Sequence, residues 1–212
     1  MKFKLKDPGS AITHGIAFLL AAVGAAPLLI RSSEWSDHIH IVALGVFILT
    51  MMLLYAASTL YHSVDSTAKV NRRLKKLDHM MIFVMIAGSY TPVALSAIRP
   101  LYPELGIGLA IGEWALTALA VTLTAIDLRK YRVFSMVCYI GMGWAVLPFA
   151  PQAMEAMGQT GFTLLLAGGI AYTLGSILYG IGAKRKWLHS VFHIFVVLGS
   201  VLHFFAIFLY AL

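Results

Sequence analysis

Charge is scarce in this sequence. Asp, Glu, Lys and Arg make up 12% of its 212 residues, about half the share that soluble domains carry, while hydrophobic residues reach 60%. That shortage excludes a solvated globular enzyme and points to an integral membrane protein. Long polar connections are missing as well, so no separate soluble domain fits, and residues 1–212 read as one all-α membrane domain. Cysteine occurs once, at Cys138. No disulfide framework exists, and a single thiol inside an apolar segment is expected to be inert. No convincing internal repeat is present.

What the chain does have is a series of apolar stretches near the ~20 residues needed to cross a hydrocarbon core of about 30 Å. Seven are expected, over approximately 12–30, 39–62, 78–98, 105–126, 134–150, 161–182 and 188–211, giving a seven-transmembrane helical bundle. Of the Lys and Arg residues, 14 fall on one side of these segments and 2 on the other. Basic loops stay in the cytoplasm. The N-terminus is therefore expected inside and the C-terminus outside, in a multi-pass protein of the cell (plasma) membrane. The same distribution accounts for the net charge of +7, because the cations sit in short loops facing anionic lipid. Membrane lipids are the expected partners, and nucleic acid is not.

The N-terminal run competes with a cleaved signal peptide, since Lys2 to Lys6 precede an apolar stretch containing small residues at 21–26. That stretch continues to Ile30, which favours a span. Residues 63–77 are polar and basic, compatible with a solvated loop or a short interfacial helix. The outer connection near 151–160 (PQAMEAMGQT) reads as a plain connector. Segment six, GFTLLLAGGIAYTLGSILYGIG, is rich in small residues that let helix backbones approach closely in lipid.

The chemically capable residues gather at one end of the spans. Ser58 and His62 close the second segment, Asp78 opens the third, and His189 and His193 open the seventh. Segments two and seven run in opposite directions, so these residues reach the same depth. Ser58 and His62 are four apart, as are His189 and His193, so each pair shares a helix face. Two imidazoles from one helix and a third from its neighbour supply three nitrogen ligands, the open form of a zinc site whose fourth position is left for water or substrate. Asp78 is placed to orient that water and accept its proton. Ser58, one turn deeper than His62, can hydrogen-bond a ligand, the water or a substrate carbonyl. Against this stands a plainer reading, in which each histidine near a helix end bonds only backbone or headgroups. The donor set alone does not select zinc over copper.

The remaining polar residues divide by position. His79, next to Asp78, points about 100° away around the helix and reads as interfacial. His14 (in ITHGI) lies at the same cytoplasmic depth and can reach the cavity, but one His with no partner favours a structural role. His38, His40 and His203 fall at the outer end. Glu113, among apolar neighbours in GLAIGEWALTALA, either touches a polar cavity or marks a shifted helix boundary.

Taken in order, S-x-x-x-H in STLYHS (58–63), the Leu77–Asp78 pair with GSYTPVAL further along that segment, and H-x-x-x-H in HSVFHIFVV (189–197) resemble the progestin and adipoQ receptor superfamily. Size, seven spans, an inside N-terminus and T-H-G in segment one resemble its bacterial branch, the hemolysin III family. The resemblance covers essentially the whole chain. It implies Zn2+ held by His62, His189 and His193, with Asp78 reaching the metal through water. The stretch KLKDPGSAI lacks the Glu and Asn of the bacterial pattern, so the resemblance gives no ground for a role there.

Two functions follow as expectations. One is a zinc-dependent hydrolase of lipid amides or esters, ceramidase-like by the resemblance, linked to membrane lipid homeostasis, with Asp78 and Ser58 as catalytic residues. The other is a non-enzymatic membrane-fluidity sensor, or a pore-forming cytolysin or channel, with a structural zinc. A pore calls for a continuous polar face through several spans, and most segments here are apolar on all sides. Neither the oligomeric state nor the lipid is specified by the sequence.

Overall fold

In lipid every backbone polar group needs a partner within the protein, which leaves helices as the natural form of long apolar segments. The computed structural model describes residues 5–32, 38–181 and 186–211, and these are helical almost throughout. In chain order they form α1 (Pro8–Ser32), α2 (His38–Ser63), α3 (Ala68–Pro92) running into a π-helical turn (Val93–Ile98), α4 (Pro103–Ile126), α5 (Arg132–Gly143), a 3-10 turn (Leu147–Phe149), α6 (Ala150–Ile181) and α7 (Lys186–Tyr210). Lys2, Lys4, Lys184 and Arg185, which contribute to the basic side, lie outside the described residues.

Among the described residues, six stretches are long and apolar enough to cross a membrane: Pro8–Arg31, His38–Ser63, Ala68–Ile98, Pro103–Ile126, Arg132–Ile181 and Trp187–Tyr210. Seven segments are expected from the sequence. The difference lies in 134–150 and 161–182, which fall inside one stretch of 50 residues. α5 ends at Gly143 because Gly141 and Gly143 are weak helix formers, and Pro148 falls in the 3-10 turn that follows. Helix then resumes at Ala150, so most of the expected connector 151–160 is helical. The break comes at Gly158, whose φ of 69° and ψ of 164° interrupt α6. That region of backbone space is essentially reserved for glycine.

α3 also departs from expectation, starting at Ala68 rather than 78. Thr67 caps it by accepting from the Val70 amide at 3.4 Å, and Val70, Leu74 and Leu77 recur at helical spacing beneath the basic residues. Lys76 Nζ donates to the Ala125 carbonyl at 2.6 Å, fastening this extension to the end of α4. Asp78 therefore lies within a continuous helix rather than opening one. At the other end, Pro92 has no amide to donate and crowds the preceding turn. The helix widens there, and the Arg99 amide bonds the Ala94 carbonyl five residues back at 2.9 Å.

Close helix contacts rest on small residues. A Cβ on Gly161, Gly168 or Gly175 would stand 2.5 Å from Tyr210 Cβ, 2.2 Å from His203 Cδ2 or 3.0 Å from Phe195 Cβ, so the small-residue face of α6 serves its contact with α7. Gly88 of α3 gives the same clearance to Thr50 of α2. Leu28, Leu44, Phe47, Phe83 and Ile207 are fully buried, whereas Val23, Val42, Ile111 and Val133 point outward. Apolar side chains on the outside are what lipid requires. α1 packs against both α2 and α7, which brings the start of α1, the end of α2 and the start of α7 to one place.

Candidate metal centre

Each site histidine is positioned by a helix end. His62 sits in the last turn of α2 and is 2% exposed, while His189 and His193 occupy successive turns at the start of α7. His193 Nε2 lies 3.1 Å from His189 Nε2, and His189 Nε2 lies 3.4 Å from His62 Nε2. A ligand atom from each of the three lies within 4.8 Å of the other two. Ring centroids are 4.8 to 5.0 Å apart on all three sides, so the imidazoles form a near-equilateral triangle.

These separations can be compared with the size of a zinc site. Zn–N bonds of 2.0–2.1 Å in tetrahedral geometry place neighbouring nitrogens about 3.3 Å apart, which the two Nε2 separations match. The arrangement is also poor without a cation: neutral imidazoles carry one proton each, and three Nε2 atoms facing one point cannot all be satisfied by each other. The donor set thus fits a tetrahedral metal with one open position.

The distal nitrogens are held as well. His62 Nδ1 lies 3.2 Å from the Asp7 carboxylate, and the Asp7 amide donates to the His62 carbonyl at 2.9 Å. Lys6 Nζ donates to the Tyr61 carbonyl at 3.4 Å and lies 3.7 Å from the centre of the Tyr61 ring. Burial there holds the Lys6 ammonium below the usual lysine range, with Asp7 acting in the opposite direction. On the other side, His193 Nδ1 lies 2.8 Å from His14 Nε2. A carboxylate or second imidazole on Nδ1 fixes the tautomer and leaves the Nε2 lone pair aimed at the centre. The expectation that His14 has no partner is thereby corrected. So is the lack of ground for a role around Asp7, since Asp7, just before α1, and His14, on its buried face, both contact the cluster. Their partners lie 55 and 179 residues away along the chain. The one local sign was the spacing of His14 with Ala17 and Ala21 on a face of buried small residues.

Asp78 is buried on α3 within electrostatic range of His62 and Ser58. Its Oδ2 lies 3.7 Å from His79 Nδ1, so His79 is turned towards the acid more than its expected interfacial position implies. Ser58 Oγ is buried with no hydrogen-bond partner within 3.5 Å among the described residues. It lies beside the Asp78 carboxyl, with which it interacts. His14 also packs edge-on against Tyr55, with centroids 5.0 Å apart. The Tyr55 hydroxyl donates to Ser200 Oγ at 2.6 Å, and Tyr172 shares that serine at 2.8 Å. Polar bonding therefore continues past the histidines into the bundle. His38 and His40 stand at the far end of α2, and His203 bonds the Leu165 carbonyl at 3.1 Å, about 15 Å along α7 from His193. None of the three joins the cluster.

The sequence as a whole has relatives among known proteins. A family model described as "Haemolysin-III related" matches residues 4–204. The chain belongs to the haemolysin-III-related family. It is 35% identical over 211 residues to Hemolysin-3 of Bacillus cereus, covering 100% of this chain and 94% of that protein. Against the Hemolysin-3 homolog of Bacillus subtilis (strain 168) it is 34% identical over 209 residues, covering 98% and 96%. A more distant match, to the human Monocyte to macrophage differentiation factor, is 27% identical over 205 residues and covers 93% and 81%. This haemolysin-III-related chain is thus a multi-pass membrane protein, and the resemblance to the progestin and adipoQ receptor superfamily through its hemolysin III branch holds.

Proposed function

We propose that the protein is a zinc-dependent hydrolase of lipid amides or esters, with its centre inside the membrane near the cytoplasmic face and a role in lipid homeostasis of the cell membrane. The observation that carries this reading is the convergence of His62, His189 and His193, with ligand atoms within 4.8 Å of one another, beside the buried Asp78 carboxyl and Ser58 hydroxyl. Zinc held there would polarise a carbonyl and make water a nucleophile near neutral pH. His62, His189 and His193 hold it through their Nε2 atoms, with Asp7 and His14 keeping two of the rings in register. Asp78 takes the proton from the attacking water and returns it to the leaving amine or alkoxide. Ser58 Oγ donates to the substrate carbonyl and so fixes its approach.

The proposal includes seven crossings. A continuous helix of 50 residues would extend about 75 Å, more than twice the hydrocarbon core. Division at Gly158 leaves 132–157 and 159–181, each long enough to cross. With the basic connections inside, the N-terminus and the histidine cluster face the cytoplasm and the C-terminus lies outside.

Metal content by elemental mass spectrometry tests the centre, comparing detergent-purified wild type with the His189→Ala/His193→Ala double variant. One zinc per chain, lost in the variant, is the expected result. Ceramides and other lipid amides are then assayed with Asp78→Ala, which should keep its zinc and lose turnover. Unchanged turnover in Asp78→Ala would remove the acid from the mechanism, and a folded wild type that takes up no zinc would remove the hydrolase altogether.

A second reading is a sensor or cytolysin in which zinc is structural. Two observations favour it: the relatives carry the name Hemolysin-3, and the cluster ties α1, α2 and α7 together. Under that reading zinc removal lowers thermal stability, and no lipid is turned over by the zinc-loaded protein.

A further inference from the structure

A second candidate site lies in the other half of the bundle, in a groove of about 410 Å3 between α4 and α5, lined in part by Leu105, Gly108, Gly112, Glu113 and Gly141. That volume falls within the range of small-molecule sites. The glycines along the groove differ from those that bring helices together. A Cβ on Gly108, Gly112 or Gly141 would meet nothing within 4 Å, so these residues permit no close helix contact. Each costs a helix about 1 kcal/mol relative to alanine. What their missing side chains provide is the open space itself.

Glu113 is the polar group in that space. It is 5% exposed, and its Oε2 has no hydrogen-bond partner among the described residues. Standing ten residues into α4, it is about 15 Å from the helix start and so near the middle of the span. The donors around it are already committed. Thr117, one turn along the same face, donates to the Phe83 carbonyl at 3.3 Å. Trp114 Nε1 donates to Thr91 at 3.0 Å. The Tyr90 hydroxyl donates to the Gly143 carbonyl at 3.1 Å. Among the described residues no Lys or Arg lines the groove, and Glu104 adds a second acid at its outer end.

A buried carboxyl oxygen without a partner at mid-span is costly, and the groove that Glu113 lines is where a partner can reach it. A hydroxyl would supply only a neutral hydrogen bond, and a fatty acid would bring a further acid to a groove that already holds two. An ammonium supplies both donor and charge. We propose that this groove binds a hydrophobic amine, its apolar body filling the space left by Gly108, Gly112 and Gly141 and its ammonium bonded to Glu113. The site is separate from the histidine cluster and does not depend on its function.

The test is equilibrium binding of radiolabelled dodecylamine to the full chain in nanodiscs of neutral lipid, with protein-free nanodiscs subtracted and with dodecanol and dodecanoate as competitors. Saturable binding is expected, displaced by unlabelled amine and not by the alcohol or the acid. Glu113→Gln, which keeps the shape but loses the charge, should weaken it about tenfold. Gly112→Leu keeps the acid and fills the groove; because its position is open, this variant should fold with an unchanged elution profile and lose binding. Absence of saturable binding, equal displacement by the alcohol or the acid, or full affinity in Gly112→Leu would each overturn the proposal, as would full affinity in Glu113→Gln.

Discussion

Asp7 and His14 illustrate how a site is held by residues that do not face its centre. Removing the carboxylate while keeping the shape, as in Asp7→Asn, should lower zinc affinity by roughly 10- to 100-fold, the usual effect of losing a partner behind a metal-ligating histidine. Competition with a chelator of known affinity measures it, and an unchanged affinity would mean the Asp7–His62 contact does not orient the ring. Acidification acts on the same centre, because three imidazoles must be unprotonated to bind a metal. Zinc should therefore be released on acidification, with retention measured by dialysis at stepped pH. The three candidate ligands were legible in the sequence because helical spacing pairs His189 with His193, and topology sets His62 opposite them. Asp7 and His14 were not, because their partners are supplied by α2 and α7, and a single chain pattern does not reveal which helices become neighbours.

Helices were readable as apolar runs, while their ends were governed by residues that apolarity does not register. The basic residues at 69–76 hide the first turns of α3, although Val70, Leu74 and Leu77 continue its apolar stripe. Across 134–160 the converse holds: Gly141, Gly143 and Pro148 end α5 early, and the stretch expected as a plain connector is helical up to the break at Gly158. Gly158 is the clearest test, since a Cβ there meets no atom within 4 Å and only the backbone conformation objects. Gly158→Ala should cost of order 1–3 kcal/mol, read from thermal unfolding in detergent, and a neutral result would show that the chain does not need that conformation. At Gly168 the obstacle is instead His203, so Gly168→Leu should force α6 from α7 and destabilise the bundle by about 2 kcal/mol or more. The same unfolding assay ranks the two.

The molecule as a whole was predicted as an all-helical membrane bundle, and composition sufficed because so little charge leaves no other place for the chain. Its orientation can be checked with impermeant maleimide on intact cells in a Cys138→Ser background. A cysteine at exposed Leu101 should be labelled from outside, and one at exposed Ser66 only after the membrane is opened; the reverse pattern would invert the topology. Drawing the histidine cluster from both ends of the chain has a consequence for biosynthesis. His14 precedes its partner His193 by 179 residues, so the cluster cannot close until α7 has been made. A metal held by all three histidines could enter only after that, and any product truncated before Leu188 would reach the bilayer with Asp7, His14 and His62 in place and nothing for them to surround.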